Sequence, residues 1–153
     1  MKRILTYLIL AAFVVASCID DSGKCDDVAC FTPPDSFVFE ITDMSNGENL
    51  FTNGTYNKLE IEVVDQLSGD PYSVEFIDEN DLNWLVISSV GWKTETVELE
   101  VTIGGELLFS FYVDADRLNG DCCSYTQYNE VRVEGASFEF DPATERYTIL
   151  IEP

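Results

Sequence analysis

The side chains of this 153-residue chain that could do chemistry are five cysteines and 29 carboxylates, with no histidine beside them. The absence of histidine excludes serine–histidine and cysteine–histidine nucleophile pairs, the usual general base near neutral pH and most catalytic zinc sites. What remains is disulfide formation or modification at cysteine, oxygen ligation of calcium, and acid–base catalysis by paired carboxylates.

Carboxylate catalysis finds little support in the sequence. Hydrolysis of a glycosidic bond needs two acids at a set separation, one of them with a raised pKa. No carboxylate here sits in an obviously apolar context that would raise its pKa. We therefore expect no enzymatic activity, and a small carboxylate-based hydrolase is the weakest of our functional hypotheses.

Calcium is the one cofactor that the sequence suggests, and only weakly. Asp114, Asp116 and Asp121 loosely follow the start of an EF-hand loop, which takes oxygen ligands at alternate positions. The pattern then fails, because Leu118 occupies a ligand position, Asn119 stands where glycine is required, and no glutamate closes the loop. We expect these aspartates to be solvated turn residues and predict no metal site and no other cofactor.

The N-terminus carries the most specific pattern in the chain. Lys2 and Arg3 precede an apolar run, and small or branched residues from Val15 to Ser17 lead directly to Cys18. This order is typical of a secretory signal. Residues 15–18 resemble the lipobox of bacterial lipoproteins, in which cleavage precedes a cysteine that carries diacylglycerol. The resemblance implies a signal peptide over 1–17 and lipidation of Cys18. The alternatives are a transmembrane anchor, for which about 14 apolar residues are too few, and an ordinary cleaved signal.

The residues after Cys18 suggest a location. Asp20 and Asp21 resemble the acidic export signal of surface lipoproteins in Bacteroidota-type bacteria. Residues 30–55 and the patch 121–125 resemble small lipoproteins of the same bacteria. These resemblances imply an exported all-β protein on the outer membrane, facing outward, with a periplasm-facing orientation as the alternative. They imply no activity and no functional residue other than Cys18.

The four remaining cysteines, Cys25, Cys30, Cys122 and Cys123, predict two disulfides, because an even number in an exported chain is typical of a disulfide framework. A bond between the adjacent Cys122 and Cys123 would strain the intervening peptide. The simplest scheme pairs one of them with Cys25 and the other with Cys30, while a local Cys25–Cys30 bond stays open. Zinc fits poorly, because the spacing is unusual and histidine is missing.

The net charge of the chain limits the kinds of molecule that it can bind. Without residues 1–17 the chain has six basic and 29 acidic side chains, a net charge of −23. Nucleic acid is excluded as a partner because its binding relies on basic side chains. Self-repulsion favours a soluble monomer, and basic partners or divalent cations complement such a surface. The expected partners are the lipid bilayer, through Cys18, and a protein or glycan at the cell envelope.

Period-two alternation predicts a domain of strands over residues 36–153, preceded by an acidic, cysteine-bearing tether over 18–35. Turn signals such as Gly104-Gly105 and Asn119-Gly120 separate the strands. We predict an antiparallel β-sandwich of seven to nine strands, immunoglobulin-like, with a transthyretin-like sandwich or a lipocalin-like barrel as alternatives. The predicted core comprises Phe37, Phe39, Leu59, Ile61, Phe76, Leu99, Val101, Phe109, Phe111 and Phe138.

The leading hypothesis is a membrane-anchored, non-enzymatic lipoprotein whose sandwich is a binding or structural module at the cell envelope. A calcium- or glycan-binding module is the first alternative and a hydrolase the second. Aromatic rings that could stack on sugars are Trp84, Trp92, Tyr112, Tyr125 and Tyr128.

Overall fold

The computed structural model describes residue 25 and residues 28–153. The predicted signal peptide and the predicted lipidation site at Cys18 lie outside these residues. Within the described part of the chain, no helix has both the length and the apolar character needed to cross a bilayer.

Ten strands account for most of the described chain, joined by turns and two short 3₁₀ segments at Lys58–Glu60 and Glu79–Asp81. The count exceeds the predicted seven to nine because short edge strands are present. In chain order the strands are β1 (Phe37–Asp43), β2 (Ile61–Asp65), β3 (Asp70–Pro71), β4 (Glu75–Ile77), β5 (Trp84–Ile87), β6 (Glu95–Ile103), β7 (Glu106–Asn119), β8 (Ser124–Glu134), β9 (Ser137–Asp141) and β10 (Arg146–Ile151).

The strands form two five-stranded sheets that pack as a sandwich, with the orders β4-β5-β1-β10-β9 and β3-β2-β6-β7-β8. The predicted all-β sandwich is confirmed. The barrel alternative is wrong, because the sheets do not close on each other. All neighbouring strands are antiparallel except β1 and β10, which pair in parallel from Val38 with Arg146 to Asp43 with Ile151. β1 therefore lies between β5 and β10, whereas the first strand of the constant-type immunoglobulin order lies beside the second.

The core lies between the sheets, where alternate residues of the strands point inward. Three rings contact one another across the sandwich: Phe39 lies 5.2 Å from Phe109 and 4.9 Å from Phe111, measured between ring centroids. Such tilted or edge-on pairs are the arrangement that aromatic quadrupoles favour. The fully or almost fully buried side chains also include Ile41, Leu50, Leu85, Ile87, Leu99, Val101, Val113 and Ile149.

Two predicted core residues are exposed, and each has a local reason. Leu59 is 85% exposed because it lies in a 3₁₀ turn rather than in a strand. The Asn57 side chain caps this turn by accepting a hydrogen bond from the Leu59 N–H, and β2 begins only at Ile61. Phe138 is 42% exposed because β9 is the edge of its sheet. Ile61 is half-buried and packs against the edge of the core, and Phe76 is half-buried with its ring 4.8 Å from that of Phe51, measured between centroids.

An irregularity in β7 changes which residues face inward. The β6–β7 register shifts between Val101 and Thr102, so that one extra residue of β7 is accommodated at this point. Leu108 and Phe109 are therefore both buried, while Leu107 is exposed. The alternation of β7 predicted Leu107 on the inner face, and the bulge moves it out.

The sandwich has two unlike ends. β7 and β8 continue past Glu95, the first residue of β6, and form a projecting hairpin. We call the end with this hairpin the disulfide end: it comprises Cys25, residues 28–35, the loop 88–94 and the hairpin tip 116–126. The opposite, distal end comprises the turns 43–48, 104–105 and 135–136, together with residues 152–153.

Candidate functional site

Two disulfides join the N-terminal segment to the tip of the β7–β8 hairpin. Cys25 bonds Cys122 and Cys30 bonds Cys123, with Cα–Cα distances of 5.4 and 5.3 Å. The predicted long-range scheme is confirmed, and a local Cys25–Cys30 bond does not form. Each bond spans more than 90 positions of the chain, so the start of the domain is covalently fixed to a loop near its C-terminal third.

Arg117 is the polar centre of the disulfide end. Its guanidinium donates hydrogen bonds to Thr126 Oγ1 at 2.8 Å, to Thr32 O at 2.7 Å and to Thr32 Oγ1 at 3.1 Å. Thr126 Oγ1 donates in turn to Gly91 O at 2.8 Å, and the Arg117 N–H donates to Thr94 Oγ1 at 3.0 Å. The guanidinium thus joins the N-terminal segment to the hairpin through hydrogen bonds of the stronger, charge-assisted kind, and the Arg117 N–H and the Thr126 hydroxyl extend the network to the loop 88–94.

Tyr128 makes a second connection where the segment reaches β1. Its hydroxyl accepts a hydrogen bond from the Asp35 N–H at 3.0 Å and donates to Val90 O at 3.4 Å. Its ring packs edge-on against Phe37, with 5.3 Å between the centroids. Burial raises the pKa of the Tyr128 phenol, so the hydroxyl stays neutral and can donate its proton. The latter part of the predicted tether 18–35 is therefore attached to the domain.

Apolar side chains are exposed around this network. Phe31 is 80% and Trp92 51% exposed, and their ring centroids lie 6.5 Å apart. The Arg117 Cζ atom lies 5.7 Å from the centroid of the Trp92 ring, which is within the range of a cation–π contact. Val28 is exposed beside the Cys25 disulfide, and Tyr125 is exposed on the hairpin tip.

The predicted calcium residues do not form a site. Asp114 and Asp116 lie within β7, where the backbone is extended and cannot curl around an ion as an EF-hand loop does. The Asn129 amide donates to both carboxylates, at 3.4 and 2.9 Å, while Asp121 lies beyond the strand in the hairpin turn. Among the described residues, no three acidic, cysteine or histidine side chains are grouped to hold a metal ion.

The candidate sugar-stacking rings do not share a surface. Trp84 lies on the outer face of the first sheet, with Arg146 Cζ 5.3 Å from its ring centroid, and Tyr112 lies on the outer face of the second sheet beneath Arg132 at 4.3 Å. Tyr128 packs inward, whereas Trp92 and Tyr125 belong to the disulfide end. Glycan binding stays a prediction without a common platform among these five residues.

Where the pKa of a carboxyl group is clearly shifted, the shift is in the opposite direction from the one that an acid catalyst needs. Hydrogen bonds from the Ser45 hydroxyl and N–H lower the pKa of Asp43, a hydrogen bond and the charge of Lys58 lower that of Asp78, and the Thr144 hydroxyl lowers that of Asp141. A general acid requires the opposite shift. The arrangement thus offers hydrolysis no support at these positions.

Sequence reasoning missed the polar network of the disulfide end. No local motif marks Thr32, Arg117 or Thr126. Strand β8 begins at Ser124, whereas the alternation of Val131 and Val133 about Arg132 indicated a strand that begins seven residues later. The sequence did offer one signal for this network: basic residues are scarce in so acidic a chain, which makes each arginine a candidate for a specific structural role. Comparison of this chain with protein-family models, with curated proteins and with solved structures found no match.

Proposed function

We propose that this chain is a non-enzymatic lipoprotein of the bacterial outer membrane, anchored by acyl chains on Cys18, whose sandwich is a binding or structural module at the envelope. The observation that carries the proposal is the covalent fixing of the N-terminal segment. Cys25 follows Cys18 by only seven positions and is bonded to Cys122. A lipid on Cys18 would thus be linked to the folded domain by a short connection that ends at a disulfide.

The disulfides also support an exported location. Structural disulfides form and persist in oxidising compartments such as the periplasm and the cell surface, and they are rare in the cytosol. Cys25, Cys30, Cys122 and Cys123 are all used in these two bonds, which leaves Cys18 as the cysteine that the pairing does not need.

The energetics of anchoring agree with this assignment. A single acyl chain holds a protein to a membrane only marginally, at about 0.8 kcal/mol per buried methylene, and stable attachment takes a second chain or signal. Diacylglycerol on Cys18 would supply two chains. A body with a net charge of −23 would otherwise have little affinity for an anionic surface.

Metabolic labelling with a fatty-acid analogue in cells that express the full chain tests the anchor. We expect label on the wild type and none on Cys18→Ala, whereas the Cys30→Ser/Cys123→Ser variant keeps Cys18 and should be labelled as the matched control. An unlabelled wild type, or equal labelling of Cys18→Ala, would contradict the proposal.

Protease treatment of intact cells tests the orientation. An outward-facing domain should be lost from intact cells, while a periplasm-facing domain should be lost only after the outer membrane is opened. A compact, disulfide-bonded domain can resist the protease itself. Surface biotinylation of Lys58, whose side chain is 45% exposed and lies outside the disulfide end, measures the orientation independently of proteolysis.

A further inference from the structure

The exposed apolar side chains of the disulfide end are grouped where the chain leaves for Cys18. Phe31 follows the bonded Cys30 directly, Trp92 lies beside it, and Val28 is between the two bonded cysteines in sequence. Exposed apolar residues that occur singly need no explanation. Here several lie together around two disulfides, which is the arrangement that indicates contact with another phase or molecule.

The length of the connection places this end near the lipid. Seven Cα steps separate Cys18 from Cys25, so the two residues are at most about 25 Å apart even in a fully extended chain. β7 alone runs for 14 residues from the distal end to the hairpin tip, a distance of about 45 Å at the usual strand rise. An acyl group on Cys18 therefore keeps the disulfide end at the bilayer, and an upright domain holds its distal end well away.

Charge opposes the alternative in which the sandwich lies flat on the membrane. The outer face of the second sheet carries a series of acidic side chains, among them Glu98, Glu100 and Glu134, and the outer face of the first sheet carries Glu40, Glu75 and Glu139. These faces are repelled by anionic headgroups. The disulfide end has two basic side chains, Arg117 and the exposed Lys93 beside Trp92. The acids among its described residues are Asp35, Asp116 and Asp121.

We infer that the disulfide end is a membrane-contacting surface, with Phe31 and Trp92 seated at the lipid–water interface of the bilayer that holds Cys18. Aromatic rings with a polar or cationic neighbour are the side chains that settle at this depth. Trp92 presents its indole there, and the exposed Lys93 beside it can meet lipid phosphates, while the Arg117 guanidinium holds Thr32 and Thr126 in place behind the Trp92 ring. The inference rests on the proposed acylation of Cys18 and adds the orientation of the domain, upright on its hairpin.

The experiment uses lipidated protein reconstituted in vesicles of phosphatidylcholine and phosphatidylglycerol, some of them with lipids brominated high in the acyl chain. Trp84→Phe leaves Trp92 as the single tryptophan, and Trp92→Phe leaves Trp84 as the matched control on a sheet face. We expect brominated lipid to lower the emission of Trp92 by about two-fold, as for an interfacial ring, and to leave that of Trp84 unchanged. If Trp84→Phe folds poorly, the difference between the wild type and Trp92→Phe reports the same quantity.

Flotation of the vesicles separates the two proposals. Protein that floats with the vesicles while Trp92 is unquenched overturns the membrane-contacting surface and leaves the anchor standing. Equal quenching of both tryptophans also overturns it, because the domain would then lie flat. Wild-type protein that does not float overturns the anchor and the surface together.

Discussion

The two ends of the sandwich are held by different kinds of interaction. At the distal end, Asp43 accepts hydrogen bonds from the Ser45 N–H and hydroxyl and from the Asn46 amide, and Gly47 closes the same turn by donating to Asp43 O. All of these partners lie within four positions of Asp43. At the disulfide end the two disulfides and the Arg117–Thr32 hydrogen bonds join partners that are 85 to 97 positions apart. A local turn forms from its own sequence, whereas the disulfide end exists only when distant parts of the chain meet.

This difference matches the proposed roles of the ends. Connections that span much of the chain restrict the unfolded state most, because loop closure becomes more costly with length. They lie at the end that would transmit any force between lipid and domain. Among the described residues, no disulfide reaches the distal turns, where the long-range connection is the hydrogen bond from the Met44 N–H to Ile151 O at 2.8 Å. The exposed side chains of these turns can therefore vary as a solvent-facing surface.

The largest expected effect comes from removing the disulfides, singly and together. Loss of one pair, as Cys30→Ser/Cys123→Ser, should lower the free energy of unfolding by about 2 kcal/mol, because the other bond still closes nearly the same loop. Loss of both should cost about 4–5 kcal/mol more, since a loop spanning 97 positions then opens. Urea denaturation of the three variants measures this, and equal losses at both steps would show that the bonds act independently.

A pair of glycines compares the packing of the two ends. Gly91 has a φ of +98°, and a Cβ there would lie 2.5 Å from Thr126 Cγ2, whereas Gly47 has a φ of +75° with open space around it. Gly91→Ala should cost about 3 kcal/mol and Gly47→Ala about 1 kcal/mol, because only the first adds a clash to the backbone strain.

Thr126→Ser supplies the control for this comparison. It removes the methyl group that a new Cβ at position 91 would meet and keeps the hydroxyl that bonds Gly91 O. Thermal unfolding should show that Gly91→Ala is less damaging in the Thr126→Ser background. If Gly91→Ala and Gly47→Ala were equally costly, close packing at the disulfide end would be refuted.

Substitution of Arg117 tests whether the polar network contributes to the free energy of unfolding in addition to the disulfides. Arg117→Met should lower the free energy of unfolding by about 2 kcal/mol, because Thr32 O and the hydroxyls lose a charged donor. Arg117→Lys should retain only part of this free energy, because an ammonium group cannot make the two-pronged hydrogen bonds of a guanidinium. Arg132→Met is the matched control: its pairs with Glu130 and Glu134 are exposed, so its loss should cost less than about 1 kcal/mol. Equal losses would argue against a special role of Arg117.

The smallest expected effect is the acid sensitivity of the distal turn at Asp43. Hydrogen bonds from Ser45 lower the pKa of Asp43 below its ordinary value of 3.8. The folded state therefore binds this proton less tightly than the unfolded state does. The stabilisation is fully present above about pH 4 and is lost as the pH falls through the lowered pKa.

NMR titration of the distal turn measures this sensitivity. The Ser45 amide should shift as Asp43 is protonated, while the amide of Thr126 at the disulfide end should stay constant over the same range. Asp43→Asn should abolish the shift at Ser45. A Thr126 amide that moves together with Ser45 would mean that the two ends are coupled.

Several features of the fold could be read from the sequence, and the failures have specific causes. The alternation in β6 and the Gly104-Gly105 hairpin were local and correct, and both glycines have the positive φ that such a turn needs. Leu107 was misplaced because a bulge depends on the partner strand. Strand β5 at Trp84 was not predicted, since its continuous apolar run has no alternation.

The candidate site, like the fold, could be predicted from the sequence only in part. The sequence favoured a long-range pairing of the cysteines but left a local Cys25–Cys30 bond open. It also left open which cysteine bonds which, because adjacent Cys122 and Cys123 are equivalent at that level. The three-dimensional arrangement assigns Cys25 to Cys122 and Cys30 to Cys123. The Asp114 to Asp121 spacing suggested a loop, and the register of β7 with β8 placed its first two acids in a strand instead.

The sequence by itself determined many of the strand-forming segments, most turns and the acidic character, because these depend on composition and on side chains within a few positions of one another. Only the tertiary structure decided the order of the two sheets, the parallel pairing of β1 with β10 and the Arg117 network. The parallel pairing and the Arg117 network depend on contacts between residues 85 to 108 positions apart, and the sheet order also depends on pairs such as Phe37 with Ile87. Such contacts form only when burial of the shared core brings the strands together, and no local pattern encodes them.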